Sequence, residues 1–185
     1  MPIDHFGLLA STFDRSPKLS FTPSQIIVLS IPIKGRLLDA GGGTGRMAEA
    51  LRDQVGLAVV ADISLGMLRR AAAKFLPVVC AGAEQLPFPD GSFDRVVMRD
   101  AFHHLANQTR SARELWRVLA PEGRIVICEP DIQKFSVKLL AIFEKMLLMR
   151  SHFNTAERIA DLFARQNAQI ELIREAASVW IVVKK

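Results

Sequence analysis

The sequence predicts an α/β fold built on a doubly wound, mostly parallel sheet, and three observations carry that prediction. Five apolar strand-like runs between residues 36 and 128 are interleaved with helical spacings, a pattern that closes most economically as parallel strands joined by right-handed crossovers. The first run ends in a turn made almost wholly of glycine, and a helix follows it. The end of the chain reads as two strands with no helix between them. Such a pair must be antiparallel, because a parallel pair needs a long crossover. The 185 residues suit one domain over 1–185, with 1–31 as a helical lead and 131–168 as a short helical cap.

Each element has its own signal. Phe6, Leu8, Leu9 and Phe13 give an amphipathic start that either packs as a small helix or frays. Thr22 and Pro23 are an N-cap and a first helical residue, opening a helix over 22–31. Strand one is Arg36 to Ala40, and its helix runs from about Met47 to Asp53. Strand two, Leu57 to Ala61, closes on Asp62, and a helix over Leu65 to Phe75 follows. Strand three is Val78 to Ala81. The stretch AGAEQLPFPDGSFD holds Pro87, Pro89 and an Asp90-Gly91 turn, so it is an ordered loop. Strand four is Arg95 to Arg99, followed by DAFHHL and a helix over 108–119. A Pro-Glu-Gly turn then leads into strand five, Arg124 to Cys128. Helices are expected over 135–149 and 155–167, and the terminal strands over about 169–175 and 178–184.

The turn after strand one selects the ligand class. Gly41, Gly43 and Gly45 alternate after Asp39, between a strand end and a helix start, where open α/β sheets bind nucleotide-like ligands. The dinucleotide fingerprint G-x-G-x-x-G would need glycine at position 46, and Arg46 stands there. This disfavours an oxidoreductase of the NAD type. Asp62, at the end of the next strand, is either an acceptor for two ribose hydroxyls or, with Ser64, a helix cap.

Composition narrows the function further. The net charge is +5, with Lys and Arg scattered rather than clustered. Arg110, Arg113 and Arg117 read as a solvated helix face rather than a nucleic-acid footprint. Cys80 and Cys128 read as reduced core thiols, not as a disulfide or metal site. No secretory signal is expected, since Asp4, His5 and Asp14 interrupt the start. The most apolar helical run is too short and too charged to span a bilayer. A cytoplasmic location is expected.

Four motifs, LLDAGGGTG, VVADIS, AEQLPFPDGSFD and LAPEGRIVICEP, occur in this order over residues 36–130. By them the chain resembles class I methyltransferases dependent on S-adenosylmethionine (SAM), within the branch that includes the ubiquinone and menaquinone biosynthesis enzymes. The resemblance implies a seven-stranded sheet whose last strand, Val179 to Val183, inserts antiparallel. It implies SAM as cofactor, a small-molecule acceptor and no metal. Asp39, Gly41, Gly43, Thr44 and Gly45 would line the methionine end of SAM. Asp62 would hold the ribose, Ile63 would pack on adenine, and Ala83 would offer its N–H to the ring. Arg99 falls at the position facing the amino-acid end, where the family often has a small residue. Gly82 stands where the family carries Asp or Asn, whose side chain accepts from the adenine amine, so that hydrogen bond is lost or replaced.

Methyl transfer from a sulfonium needs alignment above all. A base is needed only where the acceptor loses a proton. His103 and His104 are the candidate catalytic bases, with Asp100 beside them, and the bland alternative is that one histidine packs and the other lies on the surface. Substrate selection is expected from the N-terminal segment and from Phe135, Leu139, Ile142, Phe143, Met146 and Met149, which either form an apolar lid or simply pack on the sheet. The short cap leaves room for completion by a second subunit. A non-catalytic SAM-binding module is the rival, motivated by Gly82 and the small cap.

Overall fold

The computed structural model describes residues 22–139, 151–164 and 167–185, together with Gly7, Ala10, Ser11 and Leu19. The helical elements in chain order are α1 (Pro23–Leu29), α2 (Arg46–Leu51), α3 (Leu65–Ala73), α4 (Gln108–Val118) and α5 (Ala156–Ala164). The strands are β1 (Arg36–Ala40), β2 (Leu57–Asp62), β3 (Val78–Cys80), β4 (Phe93–Arg99), β5 (Leu119–Pro130), β6 (Gln169–Glu175) and β7 (Ser178–Lys184). They form one seven-stranded sheet in the order β3-β2-β1-β4-β5-β7-β6. The first five strands pair parallel, and β7 inserts antiparallel between β5 and β6. This is the expected architecture.

Helices cover both faces, so central strands bury successive residues on opposite sides and read as unbroken apolar runs. Leu38, Val96, Ile125 and Ile181 pack with Leu115 of α4 and Phe163 of α5. Leu37, Val97, Val126 and Trp180 pack with Met47 of α2, Leu68 of α3 and Leu29 of α1. Helix α1 begins with a complete capping box between Thr22 and Gln25. At its other end, Arg124 donates to the carbonyl of Val28 at 2.7 Å and Arg95 to those of Leu29 and Ser30 at 3.0 Å. The carbonyls a helix end leaves unpaired are thereby satisfied.

Several boundaries differ from expectation. Helix α2 is only six residues and passes into a 3₁₀ turn over Arg52–Gln54. Strand β3 stops at Cys80, and β4 starts two residues early at Phe93. The expected Pro-Glu-Gly turn is absorbed into β5 as a bulge: Phe93 pairs with Leu119, whereas Arg95 pairs with Arg124. The two cysteines are free, but only Cys128 is a core thiol, because Cys80 lies on the short edge strand and is exposed. The arginines of α4 are not simply a solvated face either. Arg117 donates to the carbonyls of Leu86 and Phe88 and pairs with Asp90 and Glu114, and Arg110 donates to the Glu84 carbonyl. They hold the loop between β3 and β4, whose Ala83 and Leu86 are also buried in the core.

Residues 135–139 open a helix with Val137 buried and Phe135 and Leu139 exposed. Ile142, Phe143, Met146 and Met149 of the expected lid lie outside the described residues, as do Phe6, Leu8, Leu9 and Phe13 of the expected lead. The backbone of Gly7 lies against Gly66 at the start of α3. Among the described residues no helix is long and apolar enough to cross a membrane.

Candidate functional site

The order of strands reverses between β1 and β4, and the crevice outside their carboxyl ends is where open α/β sheets take ligands. One wall is the turn after β1. Gly41, Gly43 and Gly45 adopt φ of 64°, 54° and 75°, a region costly to residues with a Cβ. They serve different ends. A Cβ on Gly45 would lie 2.6 Å from Leu76 and 3.1 Å from Ala71, so this glycine lets α2 seat on the sheet. Among the described residues a Cβ on Gly43 would meet only the Met67 sulfur, at 3.7 Å, so these residues leave the space over this peptide as a cradle open to a ligand. Gly41 faces Ala101 across the crevice, where an added Cβ would approach to 2.9 Å. Thr44 is buried, and its carbonyl accepts from the Lys74 ammonium at 3.0 Å.

Two carboxylates hold this turn. Asp39 is 1% exposed and accepts from the Ala48 N–H at 3.0 Å. Burial pushes its carboxyl up to about 7; the Ala48 bond opposes the rise and the nearby Asp62 charge adds to it. Asp62 accepts from Gly43 at 2.9 Å through Oδ2 and from Ser64 at 2.8 Å through Oδ1. Ser64, not Asp62, caps α3, through Met67 N–H at 3.2 Å. Asp62 thus ties the glycine turn to the end of β2. A carboxylate oxygen can accept more than one hydrogen bond, a chemistry that suits ribose hydroxyls. Beside it the Ile63 side chain is 70% exposed, an apolar face at the crevice mouth.

The opposite wall follows β4. Arg99 reaches Asp100 at 3.4 Å. Asp100 sits at φ 51°, and burial raises its carboxyl above the ordinary value while Arg99 pulls it down. Next comes a 3₁₀ turn, Phe102–His104, that the sequence did not signal. Its organiser is Glu129, at the end of β5 and 3% exposed. One oxygen of Glu129 accepts from Ala101 at 3.0 Å and Phe102 at 2.8 Å. The other accepts from the His103 N–H at 3.3 Å and makes a short contact with His103 Nδ1. A carboxylate at Nδ1 favours the proton on that nitrogen, and in the neutral ring Nε2 is then the acceptor. The His103 imidazole is 4% exposed and stacks on Phe153 with centroids 4.3 Å apart.

His104 differs. Its Nδ1 lies 3.2 Å from Ser151 Oγ, and burial together with the neighbouring His103 pushes it down to about 3, so it is neutral. Glu129 is the residue sequence reasoning missed. Its signal was an acid closing the buried run RIVICEP beside β4.

Gly82 and Ala83 follow β3, and a Cβ on Gly82 would lie 3.4 Å from the Ile63 side chain. The donor set fits an adenosyl sulfonium: the open Gly43 cradle, the Asp62 carboxylate, the exposed Ile63 face, and mixed charge from Asp62, Asp100 and Arg99 around a ligand carrying sulfonium, ammonium and carboxylate groups. Among the described residues no cluster of His, Cys, Asp and Glu is arranged to hold a metal ion.

Residues 38–127 match the family described as a methyltransferase domain. The chain is 33% identical over 148 residues to a demethylmenaquinone methyltransferase of Mycobacterium bovis, a span that is 78% of this chain and 59% of that relative. It is 36% identical over 126 residues to the enzyme of the same name from Mycolicibacterium vanbaalenii, covering 66% of this chain and 53% of that one. The chain therefore spans between half and two thirds of the length of these relatives. A SAM-dependent methyltransferase structure from Aquifex aeolicus superposes with a TM-score of 0.78, covering 96% of this chain and 97% of the other at 16% identity, a likeness of fold alone.

Proposed function

We propose that the chain, whose residues 38–127 match the methyltransferase domain family, is a SAM-dependent methyltransferase acting on a small aromatic acceptor of the quinol class. The observation that carries this reading is the open cradle over Gly43, its N–H fixed by Asp62 beside the switch point of the sheet. The acceptor class is supported by the naming of the mycobacterial relatives as demethylmenaquinone methyltransferases.

Bound SAM supplies a methyl group on a positively charged sulfur, which is already an activated leaving group. The chain's own residues then have three tasks. Gly41, Gly43 and Asp62 bind and orient the donor, with Ile63 and Ala83 at the base and Arg99 at the amino-acid end. The walls bring donor and acceptor into line and keep water out, which is catalysis by orientation. His103 takes the proton at Nε2 from a hydroxyl of the acceptor, making the ring carbon a stronger nucleophile. Glu129 holds the opposite ring nitrogen, fixing the tautomer and stabilising the imidazolium. His104, neutral and far weaker as a base, packs beside it. A cytoplasmic location belongs to the same reading.

Calorimetric titration with SAM, followed by incubation with methyl-labelled SAM and reduced demethylmenaquinone, tests it. Binding and label in the quinone are expected. SAM binding without transfer to any of a broad acceptor panel would favour a non-catalytic module. Binding of NAD without SAM would overturn the reading.

A further inference from the structure

Just past β3 the structure places an unpaired donor beside an unpaired acceptor. The Ala83 N–H donates to no described residue, while Glu84 engages only part of its carboxylate. Glu84 Oε1 accepts from the Ala106 and Asn107 N–H groups at 3.1 and 3.3 Å, which fixes the carboxylate in place. Its backbone carbonyl accepts from Arg110 at 2.8 Å, and the turn is closed by Gln85 N–H to the Gly82 carbonyl at 3.0 Å. Oε2 takes no hydrogen bond from any described residue. It lies 3.0 Å from where a Cβ of Gly82 would be, and that same point is 3.4 Å from the Ile63 side chain. A Cβ at position 82 would thus press on Oε2, next to the exposed Ile63 face.

We propose that Glu84 supplies the acceptor that reads the exocyclic amine of adenine, and that Gly82 is glycine to leave room for it. This rests on the SAM reading above. The pattern is specific. Adenine presents an acceptor at N1 and a donor at N6, complementary to the Ala83 N–H and Glu84 Oε2. Hypoxanthine presents the reverse, a donor at N1 and an acceptor at O6. A site that hydrogen-bonds one edge rejects the reversed edge strongly, because each mismatched group is left without a partner.

The substitution Glu84→Gln gives a sharp test. The two N–H groups of Ala106 and Asn107 require the amide oxygen at the Oε1 position, so the amide nitrogen must stand at the Oε2 position. The acceptor becomes a donor with the loop anchor retained. Wild type and E84Q are titrated calorimetrically with S-adenosylhomocysteine and S-inosylhomocysteine. Wild type is expected to favour the adenosyl compound by at least about tenfold, and E84Q to lose most of that preference and gain affinity for the inosyl compound. A second variant, Gly82→Ala, crowds Oε2 without needing an unusual backbone. It is expected to weaken adenosyl binding about tenfold at an unchanged melting temperature. An E84Q preference equal to that of wild type overturns the proposal, as does a G82A affinity equal to that of wild type. Failure of wild type to bind either compound would instead overturn the SAM reading.

Discussion

Replacing Asp39 with asparagine should change how stability depends on pH, by an amount the structure sets. The Asp39 carboxyl is fully buried, and its value in the folded chain rises from 3.8 to about 7. Between those two values the folded chain keeps a proton that the unfolded chain has lost. Stability is therefore greatest while Asp39 is protonated, and it falls as pH rises from about 4 to about 7. The shift of roughly 3 units corresponds to about 4 kcal/mol. An asparagine at this position would not titrate, and its side-chain carbonyl can still accept from the Ala48 N–H. His104 works in the opposite sense. Its folded value falls from 6.5 to about 3, so its contribution is present above 6.5 and fades as pH falls toward 3. The informative quantity is thus the difference between Asp39→Asn and wild type at each pH, in which the His104 contribution cancels. Urea unfolding followed by fluorescence suits it, since Trp180 is buried in the sheet. The difference should move in favour of the variant by about 4 kcal/mol from pH 4 to pH 8. A difference constant to within about 1 kcal/mol would refute the account of Asp39 as a carboxyl that is costly to ionise.

Further outcomes separate the roles of neighbouring residues. Gly45→Ala should destabilise the fold by about 2–4 kcal/mol in chemical denaturation, combining a left-handed backbone with overpacking against Leu76 and Ala71. Gly43→Ala should cost only about 1–2 kcal/mol of stability, yet abolish calorimetric SAM binding by filling the cradle. Asp62→Ala should weaken SAM binding by about 10- to 100-fold, the loss of charged hydrogen bonds to the ribose and of the clasp on Gly43. His103→Gln should lower kcat by about 100-fold or more with S-adenosylhomocysteine affinity unchanged, and a loss below about tenfold in a label-transfer assay would remove the histidine from the proton path.

The parts of the molecule visible in the sequence are those set by local chemistry. The alternation of apolar runs located the central strands of the sheet, because helices on both faces leave no solvated side to interrupt them. Thr22-Pro23 signalled α1 through a cap that needs only neighbours three residues apart. The glycine turn and Asp62 were legible as one unit, since strands β1 and β2 are adjacent. What escaped depends on residues far apart in the chain. Glu129 organises a turn 26 to 28 positions earlier, and only the pairing of β4 with β5 brings them together. Glu84 fills the space beside Gly82 because the Ala106 and Asn107 N–H groups hold it there. Cys80 looked like a core thiol in an apolar run, but edge position, not composition, decides its exposure.

The most direct measurement is a crystal structure of the chain grown with S-adenosylhomocysteine. The account predicts the compound across the ends of β1 and β2, its homocysteine arm over Gly43, its ribose on Asp62 and its base against Ile63. Density for the compound at any other place, or none at saturating concentration, would contradict it.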